Sequence, residues 1–320
     1  MKPIASLSLD LDNEWAYVKT HGDAGWESYP SYLDIAVPRF LGLLAKLEQR
    51  ITVFVVGQDA ALEKNHAALR AIAQAGHEIG NHSFRHEPWL GRYSRAELET
   101  EIRSAGDAIA AATGVRPRGF RGPGFSLSRE ALEVLADQGY RYDCSTFPTY
   151  IGPLARAYYF MTAKLDTKDR AERSDLFGSV KDGLRPITSY RWALGDRSLT
   201  EIPVTTFPVL KIPFHFSYVL YIASIAPWLA LPYFRAALLA CRLCRVSPSL
   251  LLHPLDFLDG NDVATLSFFP AMALPKERKL ALLEAAIASL RRWFEVVPVG
   301  EHAASLDGDQ RVRAILPSFA

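Results

Sequence analysis

Gly76-His77-Glu78-Ile79-Gly80-Asn81-His82-Ser83-Phe84-Arg85-His86 reads as a short strand that leaves a glycine and runs into a sheet-to-helix turn carrying two imidazoles. If the turn goes helical, residues four apart share a face and both rings can reach one cation. Two polar histidines on a surface turn would give the same H-x-x-x-H spacing, so the surrounding chain has to decide.

Working outward, Ile51-Thr52-Val53-Phe54-Val55-Val56 is a β-branched apolar run ended by Gly57, and a helical pattern over about 60–75 returns the chain through Gly76. Upstream, Ile4 to Leu11 alternates apolar and polar residues, which projects Asp10 and Asp12 from one face at the strand's carboxyl end. Residues 15–32 are aromatic and glycine-containing without a clear period, and predict a long loop that walls a site. A helix over 35–48 follows. Downstream, Ser94 with Glu97 forms a capping box for a helix that Gly114 stops. A strand at 118–121 ends in Gly122-Pro123-Gly124, Ser128 caps a helix over 129–138, and 140–143 is the next strand. Repeated βα units predict an α/β fold, with a parallel sheet closed or nearly closed into a barrel and its chemistry at the strands' carboxyl ends.

The chain has 320 residues and is 49% hydrophobic, enough for a sizeable core. Its net charge of +1, from 36 basic and 35 acidic side chains, argues against nucleic acid as a partner. The first residues reach Asp10 before an apolar region of signal-peptide length can form, so no export is expected. Three cysteines are too few for a disulfide framework and agree with a reducing, cytoplasmic setting. Cys241 and Cys244 form a C-x-x-C, but within a run of small apolar residues at helical spacing.

The βα rhythm breaks after 149. Residues 150–248 predict an insertion between the first part of the barrel, 1–149, and its remainder, 249–300, with 301–320 as a tail. The insertion contains a charged run at 164–175 and strand-like pieces at 189–192 and 199–204. Residues 214–231 are almost wholly apolar and aromatic, split by Pro227, and the stretch after Pro232 carries only Arg235, Arg242 and Arg245 as charges. Such a piece, about 212–245, suits a peripheral membrane contact, and equally a buried helical hairpin or an oligomer interface. A final amphipathic helix is expected at 276–294.

The polar residues at the inferred carboxyl ends are Asp10, Asp12, His82, His86, Arg121, Asp143, His253 and Asp256. One carboxylate and two imidazoles make a three-ligand site for one divalent metal, zinc first, with cobalt, manganese or nickel as alternatives. A second carboxylate can take a proton from water, and a histidine opposite can protonate a leaving amine.

These residues carry a resemblance. The chain resembles the polysaccharide deacetylases of carbohydrate esterase family 4, the NodB-homology group. The first motif of that family looks like Ser8-Leu9-Asp10-Leu11-Asp12-Asn13, its H-[ST]-x-x-H matches His82-Ser83-Phe84-Arg85-His86, its R-x-P motif matches Arg121-Gly122-Pro123-Gly124-Phe125, and its L-x-L-H looks like Leu250-Leu251-Leu252-His253. The resemblance covers 4–147 and 249–295 and implies a distorted (β/α)7–8 barrel. It implies Asp10 as general base, Asp12, His82 and His86 as metal ligands, Arg121 as the partner of Asp10, and His253 as general acid. Asp143 stands where relatives carry the aspartate that tunes this histidine, without the usual tryptophan, and Asp256 competes for that role.

The D-x-D spacing of Asp10 and Asp12 resembles the branch acting on lipid-linked amino sugars, including a deformylase. The expected function is therefore metal-dependent removal of an acetyl or formyl group from an N-acylated amino sugar, lipid-linked or in a polysaccharide, at the inner face of the cytoplasmic membrane. A ring-opening amidohydrolase of the allantoinase or cyclic-imidase kind and a non-catalytic glycan- or lipid-binding module are the alternatives. Glu14, Trp15, Tyr17 and Trp26 are candidate sugar-subsite or rim-packing residues, while His21, His66, His77, His215 and His302 lack motif partners and are expected to be structural or solvated.

Overall fold

Strand β1, Ile4–Leu11, orders the sheet, and every residue of it after Ile4 is buried. It pairs in parallel with β2 (Thr52–Val55) on one side. On the other it pairs with β8 (Ser249–Leu252) and, at its start, with β9 (Glu295–Val297). The computed structural model describes residues 2–152, 154 and 180–319, so the charged run at 164–175 lies outside the described residues.

Beyond β2 the order continues through β3 (Glu78–Asn81), β4 (Gly119–Phe120), β5 (Tyr142–Asp143), β7 (Arg197–Glu201), β6 (Tyr190–Leu194) and β10 (Ala314–Ile315). All pairings are parallel except the β6–β7 hairpin, which turns at Gly195 with φ +70°. Parallel strands need crossovers, and helices supply them. They are α1 (Glu14–His21), α2 (Leu33–Lys46), α3 (Gly57–Ala61), α4 (His66–Gln74), α5 (Arg95–Thr113) and α6 (Arg129–Asp137) in the first half. In the second half α7 (Phe216–Ile225), α8 (Pro227–Leu243), α9 (Lys276–Trp293) and α10 (Val299–Ala304) follow. The mostly parallel α/β sheet agrees with the expected barrel type, but it is open: among the described residues β8 and β10 stand at its two ends without pairing to each other.

The structure adds detail where the sequence pattern is weak. Residues 14–21 form a helix rather than loop, because Asn13 accepts from the Glu14 N–H (2.8 Å) and Gly22 closes the other end at φ +88°. The single helix expected at 60–75 is two, since Leu62 is extended and the Asn65 amide is drawn to Asp59. Within 150–248, β7 pairs with β5 and β6 with β7, so both strands extend the sheet. The stretch 301–320 also joins it: Ala314 and Ile315 pair with Arg191 and Trp192.

Helices α7 and α8 are half-buried. Phe216, Val219, Leu220 and Ala223 of α7, with Ala230, Phe234, Ala237, Leu238 and Cys241 of α8, belong to the main core with β1, β8 and α9. Each large apolar side chain there contributes roughly 1.5–3 kcal/mol. The opposite face leaves Ile225 (70%), Trp228 (78%) and Leu243 (75%) exposed. Cys241 is buried and Cys244 exposed, so the C-x-x-C pair is split between core and surface.

Candidate metal and acid–base site

The polar residues singled out from the sequence lie at the carboxyl ends of β1, β3, β4, β5 and β8, where a parallel sheet presents its loops. The two histidines reach one place without a helix. Ser83 and His86 have φ of +62° and +54°, a left-handed path that costs energy in non-glycine residues and must be held. Asn81 accepts from the Ser83 N–H (2.8 Å), Glu101 from the N–H groups of Phe84 (2.9 Å) and Arg85 (2.6 Å), and Ser83 Oγ from the His86 N–H (3.1 Å). Four hydrogen bonds to three side chains thus replace the helical turn that the i, i+4 spacing suggests.

The loop brings Nε2 of His86 to 3.0 Å and Nε2 of His82 to 3.3 Å from Oδ1 of Asp12. One ligand atom from each of Asp12, His82 and His86 lies within 4.8 Å of the others, the single such group among the described residues. His82 donates its Nδ1–H to the Arg121 carbonyl (2.6 Å), so in the neutral ring Nε2 presents its lone pair to the Asp12 carboxylate. Two such acceptors are reconciled by a positive centre between them, a proton on Nε2 or a metal ion. Burial opposes charge on Asp12, but His86 and His82 outweigh it and hold its carboxyl well below the usual range. Burial likewise opposes charge on His82, and the carboxylates of Asp10 and Asp12 raise it nonetheless. The donor set, one oxygen and two imidazole nitrogens in a cation-favouring field, fits a divalent ion.

Asp10 lies beside this group and is held from the other side. Arg121, fully buried, donates from Nη1 to Asp10 Oδ1 (2.5 Å) and to Ser8 Oγ (2.9 Å), and from Nε to the Cys144 carbonyl (3.2 Å). Its guanidinium lies 4.4 Å from the centre of the Phe54 ring. That ring needs room, and Gly80 provides it: a Cβ at position 80 would run into Phe54.

His253 follows β8. Asp256, in the next turn, accepts from the His253 N–H at Oδ2 (2.9 Å) and from Ser217 Oγ at Oδ1 (3.0 Å), and the same hydroxyl lies 3.0 Å from His253 Nδ1. Burial raises the Asp256 carboxyl against the pull of His253 and these donors. Asp143 has other company: Ser145 donates to it from Oγ (2.6 Å) and N (3.1 Å), and its carboxyl faces Glu201. Burial and the Asp143 charge push Glu201 well above the usual carboxylate range. Of the two aspartates, Asp256 is the one joined to His253.

The aromatic candidates line the metal side. Trp15 is buried edge-on to His86, with ring centres 6.5 Å apart, and donates its indole N–H to Asp59 (3.0 Å). The phenol of Tyr17 is raised well above its usual value by burial and by the charges of Asp12, Tyr32 and Asp256. Trp26 carries the ammonium of Lys19 at 4.8 Å. Glu14, partly buried, accepts from the Thr265 hydroxyl at 2.5 Å.

Sequence reasoning missed Ser217, His215 and Glu201. His215 is buried with its ring centre 6.0 Å from that of His253, and Nδ1 finds no partner among the described residues. The available signal was local: a lone serine and a histidine within an apolar run must be satisfied by something if they are buried. His302, expected to be structural or solvated, is buried with Nδ1 2.9 Å from Ser6 Oγ, and burial pushes its imidazole down to about 4.

Residues 23–142 match the family model for polysaccharide deacetylase. The chain is 27% identical over 191 residues to a peptidoglycan deacetylase of Helicobacter pylori, covering 58% of this chain and 60% of that protein. It is 23% identical over 223 residues to a peptidoglycan deacetylase-like protein of Gibberella zeae, covering 68% and 61%. The chain thus spans about three fifths of the length of these curated relatives. A crystal structure from Mycobacterium smegmatis, of a protein assigned to the polysaccharide deacetylases, superimposes with a TM-score of 0.65 at 22% identity, over 100% of this chain and 94% of that one.

Proposed function

For a chain with the sequence features and fold of a NodB-type polysaccharide deacetylase, we propose metal-dependent hydrolysis of the N-acyl group of an amino sugar. The observation that carries this reading is the pairing of Asp12, His82 and His86 around one point with a second carboxylate, Asp10, anchored beside them by Arg121. Asp12, His82 and His86 hold the ion, zinc first by its preference for imidazole with carboxylate and cobalt, manganese or nickel next. A divalent ion there supplies Lewis-acid polarisation of the acyl carbonyl and of the attacking water.

The chain's own groups do the rest. Asp10, oriented by Arg121, takes a proton from water as it adds to the carbonyl. His253 delivers a proton from Nε2 to the sugar nitrogen as the C–N bond breaks, giving a free amine and the carboxylate of the acyl group. Tyr17 and Trp26, partly exposed and backed by the buried Trp15, form the wall against which a sugar ring can stack.

The substrate proposed is a lipid-linked N-acetyl or N-formyl amino sugar met at the inner face of the cytoplasmic membrane. Support comes from the surface of α7 and α8. Tyr221, Ile225, Trp228, Leu229 and Leu243 are exposed beside Arg235, Arg242 and Arg245, and no acidic residue occurs between Glu201 and Asp256. Apolar side chains with cationic neighbours suit an anionic bilayer surface. Among the described residues no helix is long and apolar enough to cross a membrane, so the contact proposed is peripheral.

The test measures acetate and formate release from N-acylated sugars and glycolipids, with and without chelator, for wild type and Asp10→Asn. Chelator-sensitive release lost in Asp10→Asn is expected. Absence of metal-dependent release from every N-acylated sugar and glycolipid would sink the reading, and ring-opening of a cyclic amide instead would redirect it. Co-sedimentation with anionic vesicles, lost when Trp228 and Leu229 are both replaced by glutamate, tests the membrane contact separately.

A further inference from the structure

Among the described residues no carboxylate hydrogen-bonds the ring of His253; a hydroxyl stands between it and Asp256. We infer that Ser217, on the first turn of α7, is a positioning residue that links His253 Nδ1 to the Asp256 carboxylate and thereby fixes which ring nitrogen faces substrate. This rests on the reading of His253 as the acid of the proposed hydrolysis.

The link has a direction. A serine hydroxyl carries one proton, and a carboxylate can only accept, so the proton of Ser217 points to Asp256 Oδ1 at 3.0 Å. The oxygen of the hydroxyl then accepts from Nδ1–H of His253, also at 3.0 Å. Nδ1 is committed as a donor, and Nε2 is left as the atom that releases a proton and regains it. Asp256 cannot swing away, because its other oxygen accepts from the backbone N–H of His253 at 2.9 Å and the side chain is buried.

Hydrophobic packing sets the hydroxyl's position. Phe216, Val219 and Leu220, flanking Ser217 on the same helix, are buried in the main core. A serine near a helix start commonly caps its own helix. Ser217 instead sends both of these bonds across 36 and 39 positions of sequence, to His253 and Asp256. The neighbouring groups leave that role open to it. His215, two residues earlier, is kept neutral by burial, with His253 and Arg121 adding to the effect, so it brings no rival charge to the ring. Asp143 is engaged with Ser145 and Glu201.

The test uses the full chain loaded with zinc and compares wild type, Ser217→Ala, Ser217→Thr, Asp256→Asn and the Ser217→Ala/Asp256→Asn double variant. The probe is an N-acetylglucosamine oligomer, or the N-acylated sugar that wild type was found to cleave. Orienting partners of this kind are worth roughly 10–100-fold. Ser217→Ala is expected to lower kcat about tenfold with KM and zinc affinity unchanged, Ser217→Thr to restore most of it, and the double variant to be no worse than Asp256→Asn. Full kcat in Ser217→Ala, or losses that multiply in the double variant, would overturn the inference. Nitrogen NMR of the histidine rings gives a readout independent of turnover. His253 should be a single Nδ1–H tautomer in wild type and a mixture in Ser217→Ala, whereas the same tautomer in both would refute the link. If wild type cleaves no N-acyl sugar while the tautomer changes as expected, the functional reading fails and the link stands.

Discussion

The two halves of the site are built in opposite ways. On the metal side, both imidazoles come from one five-residue stretch, stapled by Asn81, Glu101 and Ser83 within or just behind the loop. On the acid side, His253 leaves β8, Asp256 comes from the following turn, and Ser217 arrives on a helix whose placement depends on apolar packing far along the chain. The first half is held by hydrogen bonds to Asn81 and Ser83 inside the motif and to Glu101 on the helix behind it. The second is held by a core, so it is exposed to changes in residues that touch neither substrate nor ion.

The largest expected effects separate the halves. His82→Ala should abolish high-affinity zinc binding in calorimetry and lower activity by about three orders of magnitude, while His253→Ala should bind zinc normally and lose roughly 10²–10⁴ in kcat. Loss of zinc in His253→Ala would show that the halves are not separable. Next, Arg121→Met leaves the buried Asp10 carboxylate without its cation, and denaturant unfolding should report a loss of about 3–5 kcal/mol. A loss below about 1 kcal/mol would mean that water reaches Asp10.

A core change should tell on the acid half alone. Phe216→Leu, a conservative reduction beneath Ser217, should cost about 1–2 kcal/mol of stability and lower kcat severalfold with zinc affinity untouched. Equal weakening of zinc binding would contradict the division. A pH-dependent effect lies in the support of the metal side. Asp59 accepts from Asn13 (2.7 Å) and Trp15 (3.0 Å), has one oxygen without a partner among the described residues, and is pushed up to about 7 by burial. The native state therefore keeps this proton more tightly than the unfolded chain does. Its stabilising effect is full below about pH 4 and fades as pH rises from there to about 7, at up to about 1.4 kcal/mol per pH unit. Asp59→Asn should flatten the melting temperature over that window, and an unchanged slope would assign the dependence to other groups.

Much of this arrangement is legible in the sequence. The alternation from Ile4 to Leu11 puts Asp10 and Asp12 on one face, although both faces of β1 are buried, and the β-branched run before Gly57 marks the buried β2 by its composition. The histidine pair is legible as a pair but not as a shape, since spacing alone cannot distinguish a helical turn from a left-handed loop pinned by Glu101 from another helix. Helix α1 is hidden because its stability comes from Asn13 and Gly22 at its ends, not from an apolar stripe. Ser217 is hidden for a deeper reason: its partners lie 36 and 39 residues away, and no local pattern encodes a contact made by tertiary packing.

The fit between Gly80 and Phe54 has a consequence for how such a chain can drift. The ring that lies under the Arg121 guanidinium occupies the space that any side chain at position 80 would need. Gly80→Ala alone meets a steric wall, and shrinking Phe54 alone opens a hole beneath a buried cation. The two sites form an epistatic pair, so a lineage can exchange both but has no comfortable intermediate through which to change them one at a time.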